Sequence, residues 1–335
     1  MINGHGDDAY KYGDIRIDLS SNVYTGFNQE GLRRHLATEL DVIGHYPEPV
    51  AKRLETDLAE RLGIRRDNIV VTSGATEAIY LTAQTYRHAH SAILVPTFAE
   101  YADACTMHEH KTTNILTLKQ LPASAQIVWL CNPNNPTGET LDIDELRSTI
   151  EKRKDTLFVI DASYAAFTTR PTLRVDEALE YDNVMMIHSL TKRFGVPGLR
   201  LGYMTGAPGV VQKIGWQRMP WSVNHLAQSA GHYLLEHIAE YAIPVETLNA
   251  ERKRVAERLT GTGAVETWPS DTHMLLCRLR MGKSSGLKEF LAKEKGILIR
   301  DASNFEGLDT SFFRIAVQNA TDDDELIKGV EEWIF

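Results

Sequence analysis

The chain has 335 residues, of which 43% are hydrophobic and 24% are charged, and its formal net charge at pH 7 is -9. This length predicts two lobes, each with a core of its own. The negative charge argues against nucleic acid or a membrane surface as a partner, because both require a contiguous basic surface. No apolar segment approaches the ~20 residues of a membrane span.

The first strong helical pattern is the segment VAKRLETDLAERLGI, residues 50–64. Gly63 suits a left-handed cap at the end of this helix. The apolar stripe of the helix consists of Val50, Leu54, Leu58 and Leu62. From about residue 68 to residue 204, short apolar runs such as IVWLC and TLFVI alternate with amphipathic segments. The alternation predicts an α/β fold with a largely parallel sheet between two layers of helices.

After Trp221 the pattern changes to a long helical stretch, and apolar strands then follow in THMLLCRL, GILIR and FFRIAV around the helix SSGLKEFLAKEK. This mixture predicts a second, smaller α+β domain. We therefore expect a large domain over residues 46–220. The small domain is expected to combine residues 221–335 with an N-terminal arm, residues 1–45.

Small and aromatic residues follow two of the predicted strands. In open α/β sheets ligands bind beyond the carboxyl ends of the strands, so these positions are the first candidates for a site. The motif VVTSGATEA places Gly74, Ala75 and Thr76 at the start of a helix, where backbone N–H groups and a hydroxyl favour an anion. The motif ILVPTFAEY places Phe98 and Tyr101 where an aromatic face can cover a flat ring.

Three further strand ends carry polar groups. In VWLCNPNNPTG, two Asn-Pro steps hold the Asn135 amide in a rigid turn. In LFVIDASYAAF, Asp161 closes an apolar run near Tyr164, and a carboxylate there requires a cationic or hydrogen-bonding partner. The candidates in HSLTKRFGVPGLRLG are Ser189, Lys192 and Arg200.

Together these positions offer an anion cradle, a stacking face, an amide, a buried acid and a lysine. A phosphorylated pyridine aldehyde complements all five, because the lysine can bond the aldehyde and the acid can keep the ring nitrogen protonated. In their order along the chain, the motifs resemble those of the fold-type I pyridoxal-phosphate enzymes, the class I/II aminotransferase superfamily. The resemblance implies pyridoxal 5'-phosphate as cofactor and a mostly parallel seven-stranded sheet in the large domain.

The resemblance also implies roles for individual residues. Lys192 would bond the cofactor, and Asp161 would pair with the ring nitrogen. Asn135 and Tyr164 would hold the ring oxygen, and Phe98 would stack on the ring. The residues implied for the cofactor phosphate are Gly74, Ala75, Thr76, Ser189 and Arg200. The implied catalytic residues are Lys192, Asp161 and Tyr164.

Tyr46, in the motif HYPEP, is similar to the family's tyrosine that reaches the cofactor phosphate of the partner subunit. This resemblance implies a homodimer with shared active sites. The three cysteines lie far apart and form no CxxC pair, which argues against disulfides and zinc and fits a reducing cytoplasm. The HxH pairs at 88–90 and 108–110 show no third ligand, so no metal site is expected.

The outer segments RMPWSVN, GILIRDASNFEGLD and the early HG resemble the threonine-phosphate decarboxylases of cobalamin synthesis. Histidinol-phosphate aminotransferases are similar in the cofactor motifs. Both groups act on a small phosphorylated amino compound, so decarboxylation is preferred and amino transfer stays an alternative. Two guanidinium groups suit a substrate carboxylate and phosphate. The predicted substrate-binding residues are Arg314, Arg300, Asn22, His5 and Asn224.

Two other function classes are disfavoured. A sensor that keeps the cofactor fold as a binding module usually carries a DNA-binding domain ahead of it, and the segment before Ser20 offers none. The motif GKSSG at 282–286 matches a hydrolase nucleophile elbow, but that fold needs a histidine after the serine and the last one is His273.

Overall fold

The computed structural model describes residues 7–334 of the chain. Its strands are β1 (Ile17–Asp18), β2 (Ile69–Thr72), β3 (His90–Leu94), β4 (Lys111–Ile115), β5 (Ile127–Cys131), β6 (Leu157–Asp161), β7 (Val184–Ser189), β8 (Gly202–Gly206), β9 (Val265–Thr267), β10 (Met274–Leu279), β11 (Ile297–Leu298), β12 (Arg300–Asp301) and β13 (Phe312–Ala316). Its α-helices are α1 (Glu30–Thr38), α2 (Lys52–Leu62), α3 (Gly74–Thr85), α4 (Glu100–Met107), α5 (Ile143–Lys152), α6 (Val175–Ala178), α7 (Leu190–Phe194), α8 (Pro208–Gly215), α9 (His225–Glu236), α10 (Val245–Gly261), α11 (Ser284–Phe290) and α12 (Ala320–Ile334).

A seven-stranded sheet in the order β2-β8-β7-β6-β5-β3-β4 forms the centre of the large domain. Its strands are parallel except for β8, which runs antiparallel to both of its neighbours. All five residues of β5 and all five of β6 are buried, as expected for strands covered by helices on both faces. The predicted fold class is confirmed.

Helices cover both faces of this sheet. Apolar residues of α3, α4 and α8 pack on one face. The opposite face is covered by α5 and α6 at one end and by α2 and α9 at the other. The carboxyl ends of the parallel strands are therefore left as the edge where side chains from several strands can meet.

The predicted helix at residues 50–64 is confirmed as α2, and Gly63 caps it with φ 67°. Leu54 and Leu58 are buried against the sheet, as the apolar stripe predicts. Val50 precedes the first turn and is 45% exposed, so its predicted place in the buried stripe is wrong. The helix is amphipathic only from Leu54 onward because the chain before Lys52 follows the surface.

The small domain contains a four-stranded antiparallel sheet in the order β12-β13-β10-β9. Residues of α10, α11 and α12 enclose a separate core against this sheet. The N-terminal segment reaches the same domain, where β1 pairs in parallel with β11. Within residues 7–334, no helix is long and apolar enough to cross a lipid bilayer.

The domain division expected at residues 46 and 221 stays a prediction, and the packing suggests a refinement of it. Leu32 of α1 and the buried face of α9 belong to the same core as Leu54 and Val71 beside the large sheet. The small-domain core takes Ile17 and Leu19 from the N-terminal segment and its other residues from α10 onward. We propose that residues 24–44 and 221–244 belong to the large domain.

Gly202 lets β8 pass directly beneath the start of α3. A Cβ at this position would lie 2.8 Å from the Ala75 nitrogen, 2.8 Å from the Gly74 carbonyl carbon and 2.8 Å from the His188 oxygen. All three are backbone atoms, so no side-chain rotation can make room. The close approach brings the first turn of α3 next to the end of β7.

Replacing Gly202 by Ala should therefore lower the free energy of unfolding by about 1–3 kcal/mol, the usual cost of overpacking. Chemical denaturation followed by circular dichroism measures this change. Gly209→Ala on α8 is the matched control, because nothing lies within 4 Å of its Cβ position. Alanine should keep or raise the stability there, since it favours helix more than glycine does. Equal stability of Gly202→Ala and wild type would contradict the packing.

Candidate active site

A cavity of about 450 Å³ opens at the carboxyl ends of the central strands, between the two domains. Side chains from both domains and from the N-terminal arm line it. The predicted site residues in its walls are Asn22, Ala75, Thr76, Phe98, Asn135, Asp161, Tyr164, Ser189, Lys192, Arg200, Arg300 and Arg314. The structure therefore brings together most of the residues that the sequence selected from distant segments.

Lys192 lies on α7, directly after β7, and its Nζ donates a hydrogen bond of 2.5 Å to the Ser21 carbonyl oxygen. Burial, followed by the nearby Arg314 and Arg200 charges, lowers the pKa of Lys192 to about 8. A lysine with such a pKa is partly neutral near physiological pH. The neutral amine is the form that attacks a carbonyl carbon, so this side chain is prepared for nucleophilic or acid–base chemistry.

Asp161 ends β6 and is almost fully buried. The Tyr101 hydroxyl donates to Asp161 Oδ2 at 2.7 Å, and the Ser163 N–H donates to Oδ1 at 2.9 Å. Burial raises the pKa of Asp161, while these hydrogen bonds and the Lys192 charge act in the opposite direction. Both carboxylate oxygens are thus fixed at the cavity wall, where the acid can pair with a cationic ring nitrogen.

The structure assigns Tyr101 a role that sequence reasoning missed. Its ring is 1% exposed and stacks on Trp129 with a centroid distance of 5.9 Å. Phe98 meets the edge of Tyr101 at 5.8 Å. Tyr101 therefore packs in the core and supports Asp161, while covering a flat ring stays the predicted role of Phe98. The sequence gives little indication of this contact, because Tyr101 lies on α4 and Asp161 ends β6.

Asn22, Asn135, Tyr164 and Arg314 form one hydrogen-bonded network. Asn22 Nδ2 donates to Tyr164 Oη at 3.1 Å and to Asn135 Oδ1 at 3.3 Å. Arg314 Nη1 donates to Asn135 Oδ1 at 2.5 Å, and Nη2 donates to the Ser20 carbonyl oxygen. Asn22 Oδ1 and Arg314 Nε are buried and have no hydrogen-bond partner among residues 7–334. Such orphaned polar atoms fit a site that a polar ligand completes.

The start of α3 and Arg200 form an anion cradle. Gly74 has φ 79°, which favours glycine, and the absent Cβ leaves room for the Arg200 guanidinium, whose Nη2 would lie 2.5 Å from it. Arg200 itself has φ 56° and donates from Nη1 to the Pro197 carbonyl oxygen at 3.1 Å. Ser189 completes this side of the cavity, with its hydroxyl 2.7 Å from that of Thr191. The N-terminal end of a helix and a guanidinium together favour a phosphate.

Arg300 and Arg314 lie directly opposite each other on the antiparallel strands β12 and β13. Opposite residues project from the same face of a sheet, so both guanidinium groups point to one side. Arg300 donates to Asn304 Oδ1 at 2.6 Å and packs over the Phe305 ring. Burial lowers the pKa of Arg314 to about 9. An anion bound between these arginines would offset the cost of burying the two guanidinium groups and the repulsion between their positive charges.

Gly74, Asn224 and Tyr46 are not among the residues that line this cavity, although Gly74 lies directly against Arg200. Asn224 is exposed and caps α9, where its side chain accepts a 2.8 Å hydrogen bond from the Ala227 N–H, so its predicted place in the substrate pocket is corrected to a helix cap. Tyr46 is 82% exposed, and its ring lies 5.2 Å from that of Trp221. His5 lies outside the described residues.

Several cavity residues were not selected from the sequence. Asp7 lines the cavity and donates its backbone N–H to the Ser20 hydroxyl at 3.1 Å. Ser21 contributes its backbone carbonyl oxygen, a group that every residue has and that a sequence motif therefore cannot reveal. Asn304 could have been found from its spacing of four residues after Arg300. Within residues 7–334, no group of three or more acidic, His or Cys side chains could hold a metal ion.

Comparisons with known proteins agree with this geometry. The model of the aminotransferase class I and II family matches residues 14–332. A candidate threonine-phosphate decarboxylase from Caldanaerobacter subterraneus subsp. tengcongensis is 32% identical, and the match covers 97% of this chain and 92% of that protein. A histidinol-phosphate aminotransferase from Methanocaldococcus jannaschii is 26% identical, over 95% of this chain and 89% of that protein.

Among solved structures, the L-threonine-O-3-phosphate decarboxylase from Porphyromonas gingivalis is 36% identical to this chain. The two superpose with a TM-score of 0.92, over 95% of this chain and 99% of that one. Similarity of this extent includes both domains rather than the central sheet alone.

Replacing Tyr101 by Phe removes the donor to Asp161 Oδ2, so we expect a loss of about 1–3 kcal/mol in the free energy of unfolding at neutral pH. Burial already raises the pKa of Asp161 in the folded state. Its carboxylate therefore destabilises the fold increasingly as pH rises, and the loss of a donor strengthens this effect. The difference from wild type should shrink as the pH falls and the carboxyl becomes protonated.

Chemical denaturation across this pH range measures the effect. Asp161→Asn provides the reference background, because an amide does not titrate. In that background Tyr101→Phe should cause a loss that does not change with pH. If Tyr101→Phe lowers the stability of the chain with its native Asp161 by an amount that does not change with pH, Tyr101 does not support the ionised carboxylate.

Proposed function

The chain belongs to the aminotransferase class I and II family, whose members are pyridoxal-phosphate-dependent enzymes, and from this premise we propose that it decarboxylates L-threonine O-3-phosphate. The observation that carries the proposal is the buried pair Arg300 and Arg314 facing one side of the cavity. Threonine phosphate has two anionic groups in one small molecule, a carboxylate and a phosphate. Guanidinium groups bind both kinds of anion in a bidentate manner.

The cavity residues also fit pyridoxal 5'-phosphate. Arg200, Ser189 and the first turn of α3 would hold its phosphate, since the glycine at position 74 leaves room for the guanidinium. Asn135 and Tyr164 would hold the ring oxygen. When bound, this cofactor supplies an electron sink for a bond that breaks at the substrate α-carbon. Phe98 would cover the ring.

The protein's own groups account for the remaining chemistry. Asp161, fixed at both oxygens, would keep a proton on the ring nitrogen. In decarboxylation the bond from the α-carbon to the carboxylate carbon breaks, carbon dioxide leaves, and the α-carbon takes up a proton. Lys192 is the acid we assign to this proton transfer, because a pKa of about 8 permits both protonation states near neutral pH.

Orientation decides which bond breaks, and two arginines can set it. The bond that stands perpendicular to the cofactor ring is the one that is cleaved. We assign the substrate carboxylate and phosphate jointly to Arg314 and Arg300, with Asn22 beside them. Histidinol phosphate has no carboxylate and would use only one of the two arginines. Amino transfer from such a substrate to a carbonyl acceptor remains the second candidate, since the match to the aminotransferase covers 95% of this chain.

We also propose that the enzyme is a homodimer located in the cytoplasm. Two surface segments, residues 40–50 and 216–221, present a group of exposed apolar side chains. These are Leu40, Ile43, Tyr46, Val50, Trp216, Met219 and Trp221. Large exposed apolar patches usually mark an interaction surface. The three cysteines are free and buried, which fits a reducing compartment.

A buried ion pair anchors residues 216–221 to α2, and hydrogen bonds to the Pro49 and Val50 carbonyl oxygens join them to residues 40–50. Arg218 Nη1 donates to Glu55 Oε1 at 3.0 Å and to the Val71 carbonyl oxygen at 2.5 Å. The Trp221 N–H donates to the Pro49 carbonyl oxygen at 2.9 Å. The patch is therefore a preformed surface, and a second copy of the chain could receive Tyr46 near its cofactor phosphate.

The decisive assay supplies the pyridoxal-phosphate-loaded enzyme with threonine phosphate and no amino acceptor. We expect release of carbon dioxide, abolished in Lys192→Ala. Arg300→Ala should lower kcat/KM about 10- to 100-fold, the usual effect of losing one charge-assisted hydrogen bond. Arg280→Ala is the matched control, because this arginine pairs with Glu266 at the surface and lies outside the cavity.

Glutamate formation that requires 2-oxoglutarate, without carbon dioxide, would instead establish the aminotransferase. An unchanged kcat/KM in Arg300→Ala would remove this arginine from the substrate site.

Shared active sites can be tested by complementation between subunits. Tyr46→Ala and Lys192→Ala should each be nearly inactive, because one loses a partner contact and the other loses the reactive amine. After co-refolding or co-expression, about half of the dimers would be mixed, and each mixed dimer would contain one intact site. Recovery of about a quarter of the wild-type activity is then expected. Recovery no greater than the sum of the two single variants would contradict sites built from both subunits.

A further inference from the structure

A second cavity of about 270 Å³ lies behind the candidate active site. Its apolar walls come from α2, α7 and the end of α9, with Leu58, Leu62, Phe194, Leu235 and Ile238 as the main contributors. Its polar surface comes from Arg61, Arg193, His188 and Tyr203, and no acidic residue of the described part of the chain, 7–334, lines it. The volume is below the range of roughly 300–1,000 Å³ typical of drug-sized ligands, so any occupant would be small.

The helix α7 separates this cavity from the active site. Thr191 and Lys192 face the active-site cavity, whereas Leu190, Arg193 and Phe194 face the second one. Two further residues, Ser163 and Ser189, line both cavities. Since α7 is only five residues long, the residues that face the two cavities are close neighbours along the chain.

The charges in the second cavity lack a counterion. Arg193 Nη1 donates to the Tyr241 carbonyl oxygen at 2.5 Å, and its guanidinium lies 5.1 Å from the Phe194 ring centroid. Within residues 7–334, neither Arg193 nor Arg61 forms a salt bridge with a carboxylate. Burial, followed by the Arg61 charge, lowers the pKa of Arg193. Two like charges near an apolar cavity are stabilised by a bound anion.

The remaining polar groups add no charge. The rings of His188 and Tyr203 stack at 4.4 Å, and His188 Nε2 pairs with the Thr205 hydroxyl at 3.2 Å. Burial lowers the pKa of His188 to about 3, which leaves the imidazole neutral. The cavity is therefore cationic at Arg61 and Arg193 and apolar or neutral elsewhere.

We propose that this second cavity binds a small amphiphilic carboxylate, with its anionic group at Arg193 and Arg61 and a short aliphatic or aromatic body against the leucines and Phe194. The site lies on the opposite side of α7 from the proposed substrate and cofactor positions, and Ser163 and Ser189 border both cavities. Binding stiffens α7 and thereby changes the affinity of the active site for its cofactor. This coupling rests on the proposed cofactor site, whereas the binding itself does not.

Isothermal titration of the holoenzyme with sodium benzoate and with sodium hexanoate tests the binding. We expect saturable binding of one carboxylate per chain, with benzyl alcohol binding at least about tenfold more weakly because it lacks the charge. Saturating threonine phosphate should not displace the carboxylate. Displacement would place the probe in the active-site cavity and overturn the proposal, as would the absence of saturable binding.

Variants assign the binding to the second cavity. Arg193→Met should weaken benzoate binding about tenfold or more, and Arg61→Ala, at the exposed mouth, should weaken it in the same direction without disturbing the core. Arg280→Ala should bind benzoate as wild type does. Unchanged benzoate affinity in both Arg193→Met and Arg61→Ala would overturn the assignment. If the buried substitution Arg193→Met impairs folding, Arg61→Ala still tests the assignment.

The coupling has its own readout. Thermodynamic linkage requires that benzoate change the dissociation constant of pyridoxal phosphate by the same factor by which the cofactor changes that of benzoate. Both constants are measured by titrating apoprotein and holoenzyme. Benzoate binding without any change in cofactor affinity would overturn the coupling and leave the binding site standing. Failure of the decarboxylase assay alone would affect neither measurement.

Discussion

The carboxylate of Asp161 is buried at the end of β6, where burial by itself favours the neutral acid. Three contributions oppose this tendency, and each comes from a different part of the fold. Tyr101 donates from α4, the Ser163 N–H donates from the turn after β6, and Lys192 supplies a positive charge from α7. Within the fold, ionisation of this acid therefore depends on groups that several elements bring together. Its chemistry is a product of the whole sheet and cannot be separated from the folding of the large domain.

The same balance of burial and charge extends across the cavity. Four cationic side chains, Lys192, Arg200, Arg300 and Arg314, line it together with two carboxylates, Asp7 and Asp161. Burial lowers the pKa of Lys192 and that of Arg314, so each positive charge is held at a cost. Anionic groups of a cofactor and a substrate compensate this excess. The electrostatics thus favour ligands with several negative charges, in agreement with a phosphorylated cofactor and a phosphorylated substrate.

The sequence predicted the parts of the fold that local pattern controls. Apolar runs identified the buried strands, and residues following those strands identified most of the cavity wall. The predictions that failed depended on tertiary contacts. Tyr101 supports Asp161 from 60 positions away along the chain, Asn224 satisfies a helix end, and Val50 lies before its helix rather than in it. Arg300 and Arg314 lie opposite each other because of the register between β12 and β13. The distance between two residues along the sequence does not determine that register.

One feature of the sheet determines how the reactive lysine and the phosphate-binding arginine relate to each other. Because β8 is antiparallel to β7, the chain leaves the active edge of the sheet through Lys192 and returns to the same edge with Arg200. Both residues belong to a single connection anchored on two hydrogen-bonded strands. An insertion in residues 193–199 would therefore displace both groups at once. Evolution of this enzyme could vary its substrate through the small domain, while this connection would tolerate little change in length.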